Sequence, residues 1–258
     1  MDEAEAKQFT REQVREAVKV YQAEESGVHK PDFELKVSNH WRFGGITHKV
    51  PFDGGVHPEL IANLIHYYTD PGGVVVDPMA GSGVVDRVLA SYDYFQAAVP
   101  SLPSSGPRKA LMSDIAPTNP RIVQADATKG LPFPADSADM VIFDPPYWKV
   151  AKEKYGILGD TIGDWRANIQ DVMRNCAVVL KAGGKMAVIV DDYLRLNQSE
   201  PLFGYVLIAG MSIGLRSVAT IYNPFPNFVV TMGPQQMEQA KNARMMSNGM
   251  KIISVFEK

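Results

Sequence analysis

Short apolar runs alternate with amphipathic stretches along this chain, a pattern that predicts an α/β fold. Seven segments rich in strand-forming residues predict seven strands, at 74–76, 109–113, 121–124, 140–143, 185–190, 217–222 and 251–257. Apolar positions at helical spacing predict a helix within 158–180, and a further helical stretch is expected from 84 to about 94. The sequence Lys-Ala-Gly-Gly at 181–184 is expected to end the last of these helices before the fifth strand begins.

The region before the first strand carries a different pattern. Residues 2–25 are charged, with apolar side chains at a spacing that predicts one amphipathic helix: Phe9, Val14, Val18 and Tyr21. We therefore expect an accessory segment over 1–39 and a separate main domain over 40–258. Residues 26–56 are expected to be irregular, and three aromatic residues there are candidates to cover a bound ligand, with core packing as the alternative: Trp41, Phe43 and Phe52.

Composition narrows the class of protein. Of 258 residues, 45% are hydrophobic and 21% are charged, which are values typical of a globular chain. The single cysteine, Cys176, lies in an apolar helical stretch, excludes an internal disulfide and fits a reducing compartment such as the cytoplasm. The acidic, polar start is unlike a signal peptide, and the apolar runs are too short to span a membrane. The histidines lack partners at ligand spacing, so no metal site is expected.

The most informative motif follows the predicted strand 140–143. Asp144, Pro145, Pro146 and Tyr147 stand where that strand ends, and open α/β sheets hold their ligands at the carboxyl ends of strands. A carboxylate and a carbonyl held by rigid proline rings can accept the two hydrogens of a planar amine. An aromatic ring beside them can stack on a base that has left its helix. A proline-rich strand exit without chemistry is the alternative.

A glycine-rich turn follows the predicted strand 74–76. It consists of Asp77, Pro78, Met79, Ala80, Gly81, Ser82 and Gly83, and a predicted helix begins directly after it. A strand, a turn of small residues and a helix together allow a nucleotide-like ligand to approach the backbone closely. Alone, such a turn is also compatible with a tight connection that binds nothing.

Two more carboxylates follow strand-like segments. Asp114 ends the second predicted strand, where an acidic residue commonly binds ribose hydroxyls. Asp126 follows the third and is placed to accept a hydrogen bond from an adenine amine. Each alone is equally compatible with a solvated turn. In series with the glycine-rich turn and Asp144, they predict a site for a dinucleotide-like ligand or for S-adenosylmethionine.

On these two motifs the chain resembles the S-adenosylmethionine-dependent amino-methyltransferases of nucleic acids, of the DNA N4/N6 type. The resemblance implies a Rossmann-like class I methyltransferase fold, a seven-stranded mixed sheet with helices on both faces, and an antiparallel pair of final strands. It also implies that the segment from Asp77 to Gly83 holds the methionine end of the cofactor, and that Asp144 to Tyr147 receives the target amine. Segment 57–65 resembles the family's helix before the cofactor strand.

The resemblance implies methyl transfer to the exocyclic amine of a base, with adenine N6 in DNA favoured because the tetrapeptide begins with Asp. The cofactor motif precedes the catalytic motif, an order shared by γ-type adenine methylases and some RNA amine methylases. RNA base amine methylation, cytosine-N4 methylation and a non-catalytic scaffold remain alternatives. The chain shows no evident target-recognition domain, so a recognition subunit or a homodimer is a possible partner.

Net charge is −3, so any affinity for nucleic acid must come from local positive charge. Lys149, Lys152 and Lys154 follow the tetrapeptide and are candidates for the lip of the pocket, with a solvated loop as the alternative. We expect residues 223–249 to help place the substrate. They include a polar and basic stretch from 235 to 244, for which a solvated helix face is the alternative. Asp191, Asp192 and Tyr193 end the fifth predicted strand and either line the pocket or form a surface turn.

Overall fold

The computed structural model describes residues 36–43, 56–91, 107–147, 159–195, 198–224 and 250–258. Four helices lie in these ranges: α1 (Pro58–Tyr68), α2 (Val84–Ala90), α3 (Ile162–Val179) and α4 (Leu202–Ser212). Nine strands accompany them: β1 (Val74–Asp77), β2 (Lys109–Asp114), β3 (Val123–Gln124), β4 (Ala138–Phe143), β5 (Leu180–Val190), β6 (Tyr193–Arg195), β7 (Gln198–Glu200), β8 (Arg216–Pro224) and β9 (Met250–Glu257).

Seven of these strands form one sheet in the order β3-β2-β1-β4-β5-β9-β8. The first five are mutually parallel, and β9 runs antiparallel to both of its neighbours, β5 and β8. Strands β6 and β7 form a separate two-stranded hairpin. The predicted seven-stranded mixed sheet with an antiparallel end is therefore confirmed.

Helices cover both faces of the sheet. Successive side chains of the central strands point in opposite directions, so each strand contributes to the core on both faces. In β4, Met140 and Ile142 pack with α1 and α2, whereas Val141 and Phe143 pack with α3 and α4. Trp165 and Met173 of α3 are fully buried against the second face, as is the thiol of Cys176. The central strands are apolar on both sides because two helical layers enclose them.

The start of the fifth strand differs from the sequence prediction. The Lys-Ala-Gly-Gly segment does not separate helix from strand, because β5 already begins at Leu180, which pairs with Ala138 of β4. The register then shifts before Met140 pairs with Lys185. Gly183 has φ +76°, a conformation open to glycine, so the two glycines form an irregularity within the strand.

Other boundaries also differ in part. Helix α2 ends at Ala90, earlier than predicted, and β3 spans only two residues. Helix α4 and the β6–β7 hairpin fall in a region for which no specific element was predicted. The predicted N-terminal helix, Phe52 and the insert 225–249 lie outside the described residues. No helix among the described ranges is long and apolar enough to cross a bilayer.

Trp41 and Phe43 are core residues rather than a cover over a ligand. Each is only 3% exposed, and both pack with the apolar face of α1. The Trp41 indole N–H donates to the Ser38 carbonyl, and Phe43 stacks on the His57 ring. Backbone hydrogen bonds from this segment to Tyr222 fasten residues 39–41 to the end of β8. The domain boundary predicted at residue 39 stays a prediction.

Candidate active site

The predicted site residues meet at one edge of the sheet. Because β1, β2, β4 and β5 are parallel, their carboxyl ends share this edge, and the antiparallel β9 brings its amino end there. Residues at or just beyond these strand ends are Asp77, Asp114, Asp144, Asp191 and Lys251. Asp126 lies two residues beyond β3 at the same edge.

The glycine-rich turn after β1 is held against β2. The Ala80 N–H donates to the Ser113 carbonyl at 3.0 Å, and the Gly81 N–H donates to Asp114 Oδ2 at 2.8 Å. Gly81 has φ +51° and Gly83 has φ +85°, so both positions require the left-handed conformation that glycine adopts most readily. A Cβ built on Gly81 has no neighbour within 4 Å. The turn therefore presents exposed backbone to open space.

Asp77 is buried at the base of this turn. Its side chain is 5% exposed, and its Oδ1 accepts a hydrogen bond from the Met79 N–H at 3.1 Å. Burial raises the pKa of Asp77 to about 7, and repulsion from the Asp114 and Asp144 carboxylates adds to the increase. The edge thus concentrates negative charge around one poorly solvated carboxyl group.

Asp114 and Asp126 organise the loops that follow β2 and β3. Besides the Gly81 amide, Asp114 accepts the Ala116 N–H at 3.0 Å through its other oxygen. Asp126 Oδ1 accepts both the amide and the hydroxyl of Thr128, and its Oδ2 pairs with Lys129 at 2.9 Å. Although partial burial alone would raise the pKa of Asp126, these partners lower it. A carboxylate oxygen has more than one lone pair, so both residues can still accept from a ligand.

The tetrapeptide from Asp144 to Tyr147 forms a polar network with a residue of β9. The Tyr147 hydroxyl donates to Asp144 Oδ1 at 2.7 Å, and Lys251 Nζ donates to Asp144 Oδ2 at 2.6 Å. Lys251 Nζ also donates to the Tyr147 oxygen at 2.9 Å and lies 5.4 Å from the centre of its ring. Burial, followed by the proximity of Asp144, raises the pKa of Tyr147. Two hydrogen bonds therefore fix the ring relative to the carboxylate.

Helix α3 supports two loops of this edge. The Trp165 indole N–H donates to the Pro146 carbonyl at 2.9 Å, within the tetrapeptide. Ten residues later in the same helix, the Asn175 side-chain amide donates to the Ala127 carbonyl at 2.9 Å, next to Asp126. The Pro146 carbonyl is thus engaged from behind, which fixes the backbone of the tetrapeptide against the helix.

Asp191 lies directly after β5, at the same edge of the sheet. Its Oδ1 is buried and has no hydrogen-bond partner among the described residues. Burial raises the pKa of Asp191 to about 7, with Lys251 opposing the shift and Asp192 and Asp144 reinforcing it. Asp192, by contrast, accepts the Phe203 N–H at 2.9 Å and so fastens the start of α4.

Sequence reasoning missed Lys251. It lies in a segment read only as a strand, and 107 residues separate it from Asp144, so no local spacing could reveal the pair. Cys176 is fully buried, and burial raises its pKa, as expected of an inert thiol. The three lysines after Tyr147 and the polar stretch at 235–244 lie outside the described residues.

No protein-family model and no curated protein matches this sequence. Similar solved structures include TrmN from Thermus thermophilus, with 17% identity, a TM-score of 0.49, and coverage of 81% of this chain and 51% of that one. This chain thus spans about half the length of TrmN.

A TehB-like S-adenosylmethionine-dependent methyltransferase from Corynebacterium glutamicum has 13% identity and a TM-score of 0.45, covering 77% of this chain and 86% of that one. The protein TTHA0409, also from Thermus thermophilus, is provisionally described as a DNA modification methylase and was solved in complex with S-adenosylmethionine. It has 22% identity and a TM-score of 0.38, and the match covers 52% of this chain and 53% of TTHA0409.

Two of these proteins are named with S-adenosylmethionine. The strand order 3-2-1-4-5, completed by an antiparallel pair, and the glycine-rich turn after β1 are observed in this chain directly. The described part of the chain therefore has a Rossmann-like fold, with a seven-stranded mixed sheet between two helical layers.

Proposed function

We propose that this protein transfers the methyl group of S-adenosylmethionine to the exocyclic amine of a nucleobase, with adenine N6 in DNA as the favoured target. The observation that carries the proposal is the position of Asp144 and Tyr147 at the end of β4, beside the glycine-rich turn at the end of β1. Because these two strands are adjacent in the sheet, a ligand on the turn and a base on the tetrapeptide would be neighbours.

The residues present fit S-adenosylmethionine. This molecule carries positive charge on its sulfur and its amino group, and a cation near Asp77 would offset the repulsion that Asp114 and Asp144 exert on that carboxyl group. Open space above Gly81 allows the ligand to contact the backbone. Asp77 and the turn from Pro78 to Gly83 would hold its methionine end, Asp114 its ribose hydroxyls and Asp126 its adenine. Once bound, it supplies an electrophilic methyl group.

Asp144 would act directly on the target amine. The lone pair of an aromatic amine is delocalised into its ring, so the nitrogen is a weak nucleophile. When the Asp144 carboxylate and the Pro145 carbonyl accept its two hydrogens, the nitrogen gains electron density and moves towards tetrahedral geometry. The proline rings hold both acceptors in place before the base arrives, which reduces the entropic cost of alignment.

Tyr147 would bind the base by stacking. Its ring is oriented by Asp144 and Lys251 and packs beside the core on the α3 face. Stacking of a base on an aromatic ring contributes about 1–3 kcal/mol and does not depend strongly on base identity. A base in a duplex must first flip out, so single-stranded or already distorted substrates are expected to react more readily.

The choice of adenine in DNA rests on the resemblance of the tetrapeptide to that of adenine methylases. Methylation of cytosine N4 or of an RNA base amine uses the same arrangement of acceptors. A recognition subunit or a homodimer remains a proposed partner.

The test is transfer of a labelled methyl group to duplex DNA, single-stranded DNA and total tRNA in parallel, followed by nucleoside analysis. The matched variants are Asp144→Ala, which removes the proposed acceptor, and Asp136→Asn, which alters an exposed turn outside the site. We expect N6-methyladenine in DNA for the native protein and for Asp136→Asn. Asp144→Ala should lose transfer while its affinity for S-adenosylmethionine, measured by calorimetry, stays within about threefold.

Label found only in tRNA would replace the DNA assignment with an RNA one at the same site. Label at cytosine N4 would change the base and not the mechanism. Binding of S-adenosylmethionine without transfer to any nucleic acid would contradict the proposal of a nucleobase substrate. Failure to bind the cofactor would favour the non-catalytic scaffold.

A further inference from the structure

The carboxylate of Asp191 stands out because one of its oxygens is buried without a hydrogen-bond partner among the described residues. A buried polar atom without a partner costs about 1–3 kcal/mol, so proteins rarely keep one without compensation. The residue follows β5 directly, and β5 lies between β4, which ends at Asp144, and β9, which begins beside Lys251. This carboxylate therefore belongs to the edge where the target amine would bind.

The groups around Asp191 separate its role from that of Asp144. Both oxygens of Asp144 already accept hydrogen bonds, from Tyr147 and from Lys251. Asp191 Oδ1 accepts none from the described residues, although its charge interacts with those of Asp144 and Lys251. The Asp144 carboxylate is thus held by fixed donors, whereas Asp191 retains a buried oxygen that can accept a proton during the reaction.

We propose that Asp191 is a further catalytic residue, which takes the proton released by the methylated amine. This inference rests on the proposed function. The amine lone pair forms the new N–C bond, the C–S bond breaks, and its electron pair remains on sulfur as a thioether. The nitrogen then bears a positive charge, and the proton that is hydrogen-bonded to the Pro145 carbonyl, an oxygen too weakly basic to take it, passes to the Asp191 carboxylate. The products are a secondary amine, the thioether and a neutral carboxylic acid, which returns its proton to water.

The electrostatic setting suits a proton acceptor that works near neutral pH. With its pKa raised to about 7, Asp191 is partly ionised at pH 7 and binds a proton more readily than an exposed aspartate does. Lys251 on β9 opposes this shift, whereas Asp144 on β4 and Asp192 on the same segment reinforce it. The Asp191 charge in turn contributes to the raised pKa of Tyr147, which also follows β4.

Asp191→Asn and Asp192→Asn form the matched pair for the test. The two residues are adjacent, and each change keeps the shape of the side chain while removing its charge and replacing one acceptor oxygen by an NH2 donor. Single-turnover methyl transfer is measured with saturating S-adenosylmethionine, between pH 5 and 9, on the nucleic acid that the native protein methylates. We expect Asp191→Asn to be about 100-fold slower at pH 8, with unchanged substrate affinity, and Asp192→Asn to be within about threefold of native.

The pH profile separates a proton acceptor from a residue with a merely structural role. The native rate should fall as pH decreases through about 7, because the proton acceptor becomes protonated. The rate of Asp191→Asn should depend less on pH in this range, because the variant lacks the carboxylate that titrates. Asp191→Glu, which keeps a carboxylate, should recover part of the rate and the acidic limb. Asp77 has a pKa in the same range, so the change in the profile between variants is the diagnostic feature.

A readout without cofactor or substrate completes the test. Carboxyl ¹³C NMR of the free protein should show two aspartates that titrate near pH 7, Asp77 and Asp191. Both signals should remain in Asp192→Asn, and only the Asp77 signal should remain in Asp191→Asn. A rate for Asp191→Asn within about threefold of native, or a loss explained wholly by weaker binding, would overturn the inference. Absence of transfer by the native protein would instead overturn the proposed function.

Discussion

The Lys251–Asp144 pair allows a quantitative prediction about what holds the site together. Lys251→Met removes the hydrogen bonds from Lys251 Nζ to Asp144 at 2.6 Å and to Tyr147 at 2.9 Å. The two charged side chains are 13% and 23% exposed. The loss should therefore exceed the ~1 kcal/mol typical of an exposed pair and remain below the 3–5 kcal/mol typical of a fully buried one. We expect the free energy of unfolding to fall by about 2 kcal/mol.

The assay is a double-mutant cycle in urea with Lys251→Met, Asp144→Asn and the double variant, all at one pH. At this chain length, a change of ~2 kcal/mol should lower Tm by about 4–8 °C in a parallel thermal scan. The exposed Arg174–Asp171 pair on α3 provides the control, since its side chains are 53% and 47% exposed. Its coupling energy should be at most about 0.5 kcal/mol.

A coupling energy for Lys251 and Asp144 no larger than that of the control pair would refute this reasoning. It would mean that solvent screens the pair more than its burial implies. A large coupling with an unchanged denaturant dependence would support a specific interaction in the folded state and not an effect on the unfolded chain.

Three further predictions concern single positions. Gly81→Val should weaken S-adenosylmethionine binding at least tenfold and lower the free energy of unfolding by ~1 kcal/mol. The control is Gly72→Val before β1, where the glycine also has a left-handed conformation and open surroundings. It should lower the stability by a similar amount without affecting the affinity. Gly210→Ala should lower the free energy of unfolding by about 1–3 kcal/mol, because its Cβ would lie 2.4 Å from the Phe256 ring. Gly204→Ala in the same helix should raise it by about 0.5 kcal/mol. Urea unfolding measures both changes. Asp77 has a folded-state pKa of about 7, above its unfolded value, so its ionisation destabilises the folded state as pH rises from 4 to 7. The free energy of unfolding of the native protein should therefore fall across that window relative to that of Asp77→Asn. An equal pH dependence of the two proteins would contradict the burial argument.

The sequence predicted the parts of the fold that depend on local signals. The strands that end at Asp77 and Asp144 are apolar, and each is followed by a recognisable turn, so their place at the ligand edge could be inferred without coordinates. The start of β5 could not, because Lys-Ala-Gly-Gly reads locally as a helix stop. Its pairing with Ala138 depends on a neighbouring strand 42 residues earlier.

The site shows the same division between local and distant information. The tetrapeptide and the glycine-rich turn are contiguous motifs, whereas Lys251 reaches Asp144 only because β9 reverses direction in the sheet. Trp41 and Phe43 were candidates for ligand contacts because aromatic residues serve both in cores and in pockets. The structure placed them in the core, where the apolar face of α1 provides the packing surface.

Helix α3 contributes none of the proposed catalytic or cofactor-binding residues, yet it joins both halves of the site. The Trp165 side chain holds the loop after β4, and the Asn175 side chain holds the loop after β3. At 1.5 Å per residue, the ten-residue separation corresponds to a span of about 15 Å. The helix thus sets the distance between the position proposed for the cofactor adenine and that proposed for the target base. Changes within α3 would alter the alignment of the two reactants even where they leave each binding site intact.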